Sequence, residues 1–491
     1  MSLDLGWESL SSGITTARVR VCSNMRKDPS SSYSEAGQQV PERGPRIALL
    51  TPYSGNNLGD AAIQDAMIAN IRLRLPGAQF SGITLNCDNF VGQHGVGAFS
   101  LHIRRYVTPP KVADQPGGGD CATGKSGQKI SRATRLKRAI KRAPVVGWCR
   151  KTIRAWGKAL WRESCHCIEG CRFLRTQDFL VVSGGGQIDD EWGGAWHHPF
   201  ALFKWAILAW INHIPYVIAS VGAGKVTSTT SRFFLSATLR MARYRSYRDK
   251  NSREIAAGLL PRGAGDSVVP DLAFSLPSSM LPLPAGIRAM AQGRRVVAIS
   301  PMAYARPGSW PYADHALYDR YLQQMGRVVS KLLDRGYFLV MVCSALTDAS
   351  VIPELLGCLD PESKKRFARQ MLVPAIATWK DLVALLLDVD FLIASRLHSA
   401  ILGFVSQRPT IAISFDPKVD WVMEDLGQTE YLLQILDFTA EDVIAALDRL
   451  EIQRSLVMEQ IGSYRDRILP VAALQYDTLA ELATASRRRH N

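Results

Sequence analysis

Short apolar runs alternate with segments of helical periodicity along most of the chain, a pattern typical of an α/β protein. The run IALLTPY from Ile47 predicts a buried strand, and AAIQDAMIANIRLRLPG from Ala61 has apolar positions at helical spacing. A loop rich in Gly and Asn, SGNNLGD, lies between them. Strand, loop and helix in this order predict the opening unit of a Rossmann-like layer.

The alternation recurs in two series that a Pro-rich stretch, 276–294, separates. We therefore predict an α/β fold with two Rossmann-like domains facing a cleft, and a basic helical insertion in the first domain. The predicted parts are a mobile tail over 1–44, a first domain over 45–275 with its insertion at 104–162, a linker over 276–294, a second domain over 295–435, and C-terminal helices over 436–491 that pack back on the first domain.

The stretch 388–402, DVDFLIASRLHSAIL, carries the strongest candidate site. Its run FLIA predicts a strand covered on both faces, with a turn at Ser395 or Arg396 and a helix from Ser399. Ligands of open α/β sheets bind outside the carboxyl ends of strands, and a helix N-terminus there favours anions. Arg396 and His398 are therefore candidate anion-binding residues. The alternative is an arginine that caps carbonyls and a histidine satisfied in a crevice.

The NLGD loop of the first domain is a second candidate. Gly55 and Gly59 would let the backbone approach a ligand, and Asp60 is expected at the helix N-cap. Asp60 is either a cap alone or a carboxylate that acts on the substrate.

Three later loops also follow predicted strands. SGGGQIDD begins at Ser183, and its glycines would serve close backbone approach to a substrate or to a neighbouring strand. Arg248 follows a short strand, with Asp249 or Ser252 as the cap of the next helix, and Lys418 follows the last strand of the second series.

Composition excludes several classes of protein. With 491 residues, 47% hydrophobic and 21% charged, the chain is predicted to be globular. No secretory signal and no apolar run long enough to span a bilayer are evident, so a cytoplasmic protein is predicted. Nine cysteines do not describe a disulfide scaffold. The spacing of Cys165, Cys167 and Cys171, with His166 and Cys149 nearby, matches none of the usual zinc patterns, so free thiols are favoured over a metal site.

Nearly all of the net charge of +15 lies in the insertion, where sixteen Lys and Arg stand against Asp114 and Asp120. The pattern over 131–161 predicts two basic amphipathic helices, divided at Pro144 and Gly147. Such helices bind anionic lipid headgroups or acidic polymers, and a solvated basic face is the plainer alternative. No signature of a nucleic-acid-binding module accompanies the charge.

The insertion also contains GDCATGKS at 119–126, which satisfies the expression for a phosphate-binding P-loop. That motif requires a preceding hydrophobic strand, and here a Pro and Gly loop precedes it. A functional P-loop is therefore not predicted.

Six segments, taken in order, resemble the polysaccharide pyruvyl transferase family, whose fold is like that of two-domain GT-B glycosyltransferases. SRLHSA is the most telling of them. The tail, the basic insertion and the aromatic loop near Trp310 differ from a minimal member. The resembling segments are NLGD with its helix from Asn57, DFLVVSGGGQIDD at 178–190, SYRDKNS at 246–252, PDLAF at 270–274, ASRLHSAI at 394–401 and PTIAISFDPKV at 409–419.

The resemblance implies transfer of pyruvate from phosphoenolpyruvate onto a sugar of a polysaccharide or its precursor, as a ketal. No metal or organic cofactor is implied. The acceptor would be a sugar or a lipid-linked oligosaccharide, with an anionic membrane surface as a further partner at the inner face of the membrane. His398, Arg396 and Asp60 are the predicted catalytic residues. The predicted substrate-binding residues are Arg248, Asn57, Gly59, Gly184, Gly185, Gly186, Asp189, Leu397 and Lys418.

Two other functions stay open. A GT-B nucleotide-sugar glycosyltransferase would share the cleft and use Arg396 and Lys418 on a diphosphate. A non-catalytic, membrane-associated polysaccharide assembly protein would bind lipid through the insertion and show no turnover.

Overall fold

The computed structural model describes the chain in the ranges 44–103, 144–191, 193–260, 266–308, 310 and 313–490. Side chains are described there except at 144–156, 368 and 488–490. The predicted tail before Gly44 and the P-loop-like residues 119–126 lie outside the described residues.

The first domain contains a sheet of eight parallel strands. Its strands are β1 (Arg46–Leu50), β2 (Gln79–Thr84), β3 (Gly97–Ser100), β4 (Phe179–Ser183), β5 (Gly186–Ile188), β6 (Tyr216–Ala223), β7 (Tyr244–Tyr247) and β8 (Ser267–Val268). Their order is β3-β2-β1-β4-β6-β7-β8, with β5 paired beside β6. Alternate residues of β1 enter two different buried clusters, Ile47 and Leu49 in one, Ala48 and Leu50 in the other. Both faces of this strand are covered, which explains its continuous apolar run.

The second domain contains a sheet of six parallel strands. Its strands are β9 (Val296–Ser300), β10 (Phe338–Met341), β11 (Met371–Leu372), β12 (Phe391–Ala394), β13 (Thr410–Ser414) and β14 (Leu432–Gln434). The order β11-β10-β9-β12-β13-β14 is that of a doubly wound Rossmann sheet. The strand predicted from FLIA is β12. Two parallel sheets with helices between their strands confirm the predicted α/β class.

Fifteen α-helices are described. They are α1 (Leu58–Arg74), α2 (Cys87–His94), α3 (Pro144–Leu174), α4 (His198–Ile211), α5 (Thr229–Met241), α6 (Lys250–Ala257), α7 (Ile287–Ala291), α8 (His315–Asp334), α9 (Val351–Gly357), α10 (Pro361–Gln370), α11 (Trp379–Leu386), α12 (Leu397–Val405), α13 (Pro417–Asp425), α14 (Ala440–Ile452) and α15 (Arg454–His490). In α8 the N-cap Asp314 accepts from the N–H of Leu317, and apolar residues recur every three or four positions on its buried side. None of the helices within the described ranges is long and apolar enough to cross a bilayer.

The break predicted at Gly147 is wrong, because α3 runs through this glycine and continues past Trp161 to Leu174. A glycine inside a helix costs only about 1 kcal/mol relative to alanine, which packing offsets. Gly170 of this helix lies against Leu208 and Trp205 of α4. Pro144 stands at the first helical position, where its missing N–H is tolerated. The first of the two predicted helices, before Pro144, lies outside the described residues.

The C-terminal part of the long helix α15 contacts the first domain. Arg74 of α1 donates to Asp477 at 2.5 Å, and the hydroxyls of Ser275 and Tyr476 lie 2.8 Å apart. Near its end, Ser486 donates to the carbonyl oxygen of Asp178 at 2.7 Å. These contacts fix the C-terminal helix on the first domain although the second domain precedes it in the chain.

Candidate active site

The carboxyl end of β12 is the structural centre of the site. β12 ends at Ala394, Arg396 is the N-cap of α12, and the helix begins at Leu397, two residues before the predicted start. Hydroxyl groups hold this turn. The Ser395 hydroxyl lies 2.8 Å from that of Tyr321, and the Ser399 hydroxyl lies 2.8 Å from that of Ser344 and 2.7 Å from that of Ser300. Leu397 packs against the hydrophobic core. The side chains of its neighbours Arg396 and His398 therefore point away from that part of the core.

His398 reaches from the second domain to the N-terminus of α1 in the first. A Cβ atom on Gly59 would lie 2.0 Å from Cγ of His398, so only glycine permits this approach. The preceding Asn57 is the N-cap of α1, and its side chain accepts from the N–H of Gly59 at 3.1 Å. Gly59 therefore permits a close approach to the backbone. The group that approaches it is His398, the candidate catalytic histidine.

Asp60 lies in the first turn of α1 and is not the N-cap, so that prediction is wrong. Asn57 takes the cap because its backbone is extended, while Asp60 is already helical. Burial raises the pKa of Asp60, and the charges of His398 and Arg248 oppose this increase. Asp60 thus lies among the charged groups of the site, and helix capping does not explain its position there.

Asp271 links His398 to Arg248. Its Oδ2 atom lies 3.8 Å from Nε2 of His398 and 3.6 Å from a terminal nitrogen of Arg248, while Oδ1 accepts from the N–H of Ala273 at 3.0 Å. Burial by itself would raise the pKa of Asp271, but His398, Arg248 and the Ala273 N–H outweigh it and hold the pKa below its usual range. Asp271 is therefore an ionised carboxylate between the imidazole of His398 and the guanidinium of Arg248. The sequence places it only within the PDLAF segment and predicts no role for it.

Arg248 is the most unusual charged group of the site. It is only 4% exposed, and its Nε and Nη2 atoms have no hydrogen-bond partner among the described residues. Its ion pairs with Asp249 and Asp271 are long, at 3.5 and 3.6 Å. A Cβ on Gly222 would lie 2.8 Å from Nη2, so a bare backbone makes room for the guanidinium. Buried donors are normally satisfied, so these N–H groups point to a ligand.

Arg396 lies in a different environment from Arg248. Its Nε and Nη2 donate to the two carboxylate oxygens of Asp348 at 2.7 and 2.9 Å, and Asp348 is fully buried. The guanidinium carbon lies 5.6 Å from the ring centre of Trp310 and 5.9 Å from that of Phe415. Asp348 therefore fixes the arginine and takes up one side of its fork. Sequence reasoning missed Asp348, and its only signal was an acid in the loop after β10.

A second pair of charged side chains joins the two domains, near the carboxyl ends of β5 and β13. Nζ of Lys418, at the start of α13, lies 3.7 Å from Oδ2 of Asp189. Burial raises the pKa of Asp189, and Lys418 opposes that increase. A Cβ on Gly224 would lie 3.2 Å from the Lys418 nitrogen, and one on Gly186 would lie 3.7 Å from it. Two predicted substrate-binding residues, Asp189 and Lys418, are thus brought together.

Gly184 and Gly185 have positive φ angles of 52° and 69°. The Gly185 carbonyl accepts from the N–H of Gly222 at 2.7 Å, and a Cβ on Gly184 would lie 2.6 Å from Ile63. These contacts are with a neighbouring strand and with α1, one of the two alternatives for this loop. Its role toward a substrate stays a prediction.

Backbone hydrogen bonds join the two loops beside the site. The N–H of Leu58 donates to the carbonyl of Ser344 at 2.8 Å, and the N–H of Leu346 donates to that of Asn56 at 2.7 Å. The loop that holds Asn57 and Gly59 is thereby fixed by the second domain, next to the segment that carries Asp348.

No group of three or more metal-ligating side chains is arranged to hold a metal ion within the described ranges. Cys165, Cys167 and Cys171 are free thiols there, and the Nε2–H of His166 donates to the carbonyl oxygen of Ser100 at 2.9 Å.

The sequence model for polysaccharide pyruvyl transferases matches residues 57–417, which contain Asp60, Arg248, Asp271, Arg396 and His398 and end one residue before Lys418. The chain belongs to the polysaccharide pyruvyl transferase family. A comparison with curated protein sequences finds no match.

Several solved structures are similar to this chain. A putative UDP-N-acetylglucosamine 2-epimerase from Listeria monocytogenes is 11% identical, with a TM-score of 0.49 over 88% of this chain and 97% of that one. The Anabaena protein HepE in complex with UDP-glucose is 12% identical, with a TM-score of 0.46 over 90% and 100%. ADP-heptose LPS heptosyltransferase II from E. coli is 13% identical, with a TM-score of 0.40 over 84% and 99%.

Proposed function

We propose that this chain transfers pyruvate from phosphoenolpyruvate onto two hydroxyl groups of a sugar, forming a ketal and releasing phosphate. One observation carries the proposal beyond family membership. The buried guanidinium of Arg248, with unpaired N–H groups, lies beside the Asp271–His398 pair at the N-terminus of α1. An anion site and a proton donor are thus adjacent, as protonation of a bound phosphoenolpyruvate requires.

Binding of the donor falls to cationic groups and backbone N–H groups. Phosphoenolpyruvate carries a carboxylate and a phosphate, both of which accept charge-assisted hydrogen bonds from guanidinium groups. Arg248 offers Nε and Nη2, which have no other partner in the described chain. Arg396 offers its remaining edge, since Asp348 already occupies Nε and Nη2. The N-terminus of α1 adds a favourable dipole for an anion.

His398 is the proposed general acid. Its Nε2 atom has no hydrogen bond within the described chain and lies 3.8 Å from Oδ2 of Asp271. The imidazolium gives its proton to the methylene carbon, which becomes a methyl group while positive charge develops at the neighbouring carbon. One sugar hydroxyl oxygen bonds to that carbon, and Asp60 accepts the hydroxyl proton.

The second half of the reaction completes the ketal. The bond from the same carbon to the phosphate oxygen breaks, and phosphate leaves with the electron pair of that bond. A second hydroxyl of the same sugar bonds to the carbon, and its proton passes to the departing phosphate, which becomes hydrogen phosphate. Overall, phosphoenolpyruvate and a diol give a ketal and hydrogen phosphate, with no net oxidation or reduction.

Donor binding is the first test, because it needs no knowledge of the acceptor. Calorimetric titration of the full chain with phosphoenolpyruvate is expected to show saturable binding that Arg248→Ala weakens. Titration with UDP-glucose is the matched comparison. Binding of the nucleotide sugar, with none of phosphoenolpyruvate, would instead favour the glycosyltransferase alternative.

The chemistry is tested in D₂O with phosphoenolpyruvate and a panel of soluble sugars. Protonation of the methylene carbon by solvent-exchanged His398 predicts a ketal whose methyl group carries one deuterium, detected by mass spectrometry, together with release of inorganic phosphate. A ketal that carries no deuterium would overturn the proton-transfer step.

A further inference from the structure

The helix α4 is apolar on all sides, yet it is only partly covered. Its sequence HPFALFKWAILAWI contains one Lys or Arg, Lys204, which is buried and paired with Glu163 of α3 at 2.8 Å. A helix of this kind normally lies inside a core or a bilayer. Here Trp205 and Leu208 face the protein interior, whereas Trp210 is 70% exposed and Ile211 is exposed as well.

The helices on either side extend this exposed apolar surface. Side chains of α3, α4 and α5 enter the same buried cluster, so the three helices cover one face of the first sheet. Trp161 of α3 and Trp196, just before α4, are 72% and 71% exposed. Trp196 lies 5.3 Å from Phe234 between ring centres, and Phe203 lies 5.8 Å from the exposed Phe233. We call this surface the aromatic face: Leu160, Trp161, Ile168, Trp196, Trp210, Ile211 and Phe233.

Basic side chains surround the aromatic face. No acidic residue lies in α4 or α5, and Arg232 and Arg240 of α5 are exposed. On α3 the exposed charged side chains within 157–174 are basic except Glu169. The basic ones are Lys158, Arg162 and Arg172. Exposed Trp, Phe and Leu with basic neighbours are the combination found on helices that lie in the interfacial layer of a membrane.

We propose that the aromatic face docks on an anionic lipid bilayer, with its Trp and Phe side chains in the headgroup layer and its basic side chains on lipid phosphates. Charge argues against a second copy as the occupant, because a symmetric contact would set basic groups against basic groups. An acidic polymer would neutralise the charge and leave the aromatic side chains in water.

Docking of the aromatic face would also place part of the candidate site near the bilayer. Trp196 lies in the segment that directly follows Asp189, the residue that contacts Lys418 at the domain junction. A docked molecule would hold this part of the candidate site near the bilayer, where a lipid-linked acceptor would be within reach. This consequence rests on the proposed reaction, whereas the docking does not.

Vesicle binding of the full chain tests the proposal without donor or acceptor. In a flotation assay we expect binding to vesicles of phosphatidylcholine with phosphatidylglycerol, weaker binding to phosphatidylcholine alone, and release as salt is raised. Combined Trp196→Ser, Trp210→Ser and Phe233→Ser changes should weaken binding by at least about tenfold. The matched control is Leu283→Ser, Ile452→Ser and Leu456→Ser, which changes three exposed apolar residues elsewhere and should leave binding unchanged.

A charge variant, Lys158→Glu with Arg162→Glu, keeps the aromatic residues and tests the electrostatic part even if the first variant is poorly folded. It should abolish the preference for anionic vesicles. Binding that neither variant alters overturns the proposal. The proposal is also overturned if the protein does not bind vesicles but forms dimers in sedimentation experiments, and if the serine variant no longer forms these dimers. Because pyruvyl transfer to a soluble sugar is measured separately, failure of docking and failure of the reaction are distinguishable.

Discussion

Nε2 of His398 lies 3.8 Å from Oδ2 of Asp271, and this pair joins the first turn of a helix in one domain to a strand end of the other. The pair forms across the contact between the two domains. The proposed acid and this carboxylate are therefore brought together by the domain contact itself.

His398→Gln is expected to lower kcat for pyruvyl transfer by about 100- to 10,000-fold, because glutamine retains a polar side chain but cannot donate a proton as imidazolium does. Binding of phosphoenolpyruvate, measured by calorimetry, should change little. His315→Gln, at an exposed position of α8, is the control and should behave as wild type. Near-normal transfer by a folded His398→Gln protein would end the assignment of the general acid.

Gly59→Ala adds only one methyl group, but it is expected to displace residues of the site. The added Cβ would lie 2.0 Å from Cγ of His398, so either the ring or the domain contact must move. We predict a loss of transfer activity and a lower Tm. The control is Gly462→Ala in α15, where a Cβ meets nothing within 4 Å. That change should raise stability by about 1 kcal/mol, since alanine favours a helix over glycine. Equal behaviour of the two variants would contradict the packing argument.

The sequence predicts the site residues that have charged or titratable side chains and that follow a predicted strand. β12 was predicted residue for residue from FLIA, because a short apolar run between polar turns has one plausible conformation in an α/β chain. His398, Arg396 and Arg248 were chosen because they follow buried strands. The cap of α1 was misassigned, since Asn57 and Asp60 are both good N-cap residues and only the backbone conformation distinguishes them.

Contacts between distant segments could not be predicted. Asp348 contacts Arg396 across 48 positions, and Gly59 contacts His398 from another domain. No local pattern reports such pairs in a single sequence. The length of α3 is also missed, because the sequence predicts a break at Gly147 and the helix continues through this residue. The predicted roles of the site residues stay predictions until kinetics test them.

Arg248→Ala and Arg396→Ala should each raise KM for phosphoenolpyruvate and lower kcat/KM, at a cost of about 1.5–3 kcal/mol for a charge-assisted contact. Lysine at either position should rescue poorly, because it cannot reproduce the guanidinium fork. Arg232→Ala, an exposed arginine of α5, is the control. Unchanged KM for both site variants would remove the arginines from donor binding.

Asp348→Asn tests whether Arg396 depends on its fixed orientation. The change leaves the partly buried guanidinium of Arg396 without its carboxylate, so we expect a loss of stability of about 1.5–3 kcal/mol and a higher KM for phosphoenolpyruvate. Asp348 is a positioning residue in this account, and kcat should fall less than KM rises. Denaturant unfolding and steady-state kinetics measure the two effects. A normal KM in a destabilised protein would limit Asp348 to a structural role.

Asp271→Asn is expected to change the stability of the protein and the way in which that stability depends on pH. The pKa of Asp271 is held below its usual range by His398, Arg248 and the Ala273 N–H against the effect of burial. A carboxyl whose pKa is lowered on folding stabilises the protein above its unfolded pKa, about 3.9, and this stabilisation is lost as the pH falls through the folded value. The difference in Tm between wild type and variant should thus be largest near neutral pH and shrink below about pH 4. Asp437→Asn, at an exposed position, should show no such difference.

The same substitution should also slow pyruvyl transfer. Nε2 of His398 lies 3.8 Å from the Asp271 carboxylate, and asparagine would leave the proposed general acid without this negative charge beside it. We therefore expect kcat to fall in Asp271→Asn, with a smaller change in the calorimetric binding of phosphoenolpyruvate. Steady-state kinetics at a temperature where both proteins are folded measure the effect. A variant with a lower Tm and an unchanged kcat would limit Asp271 to a structural role.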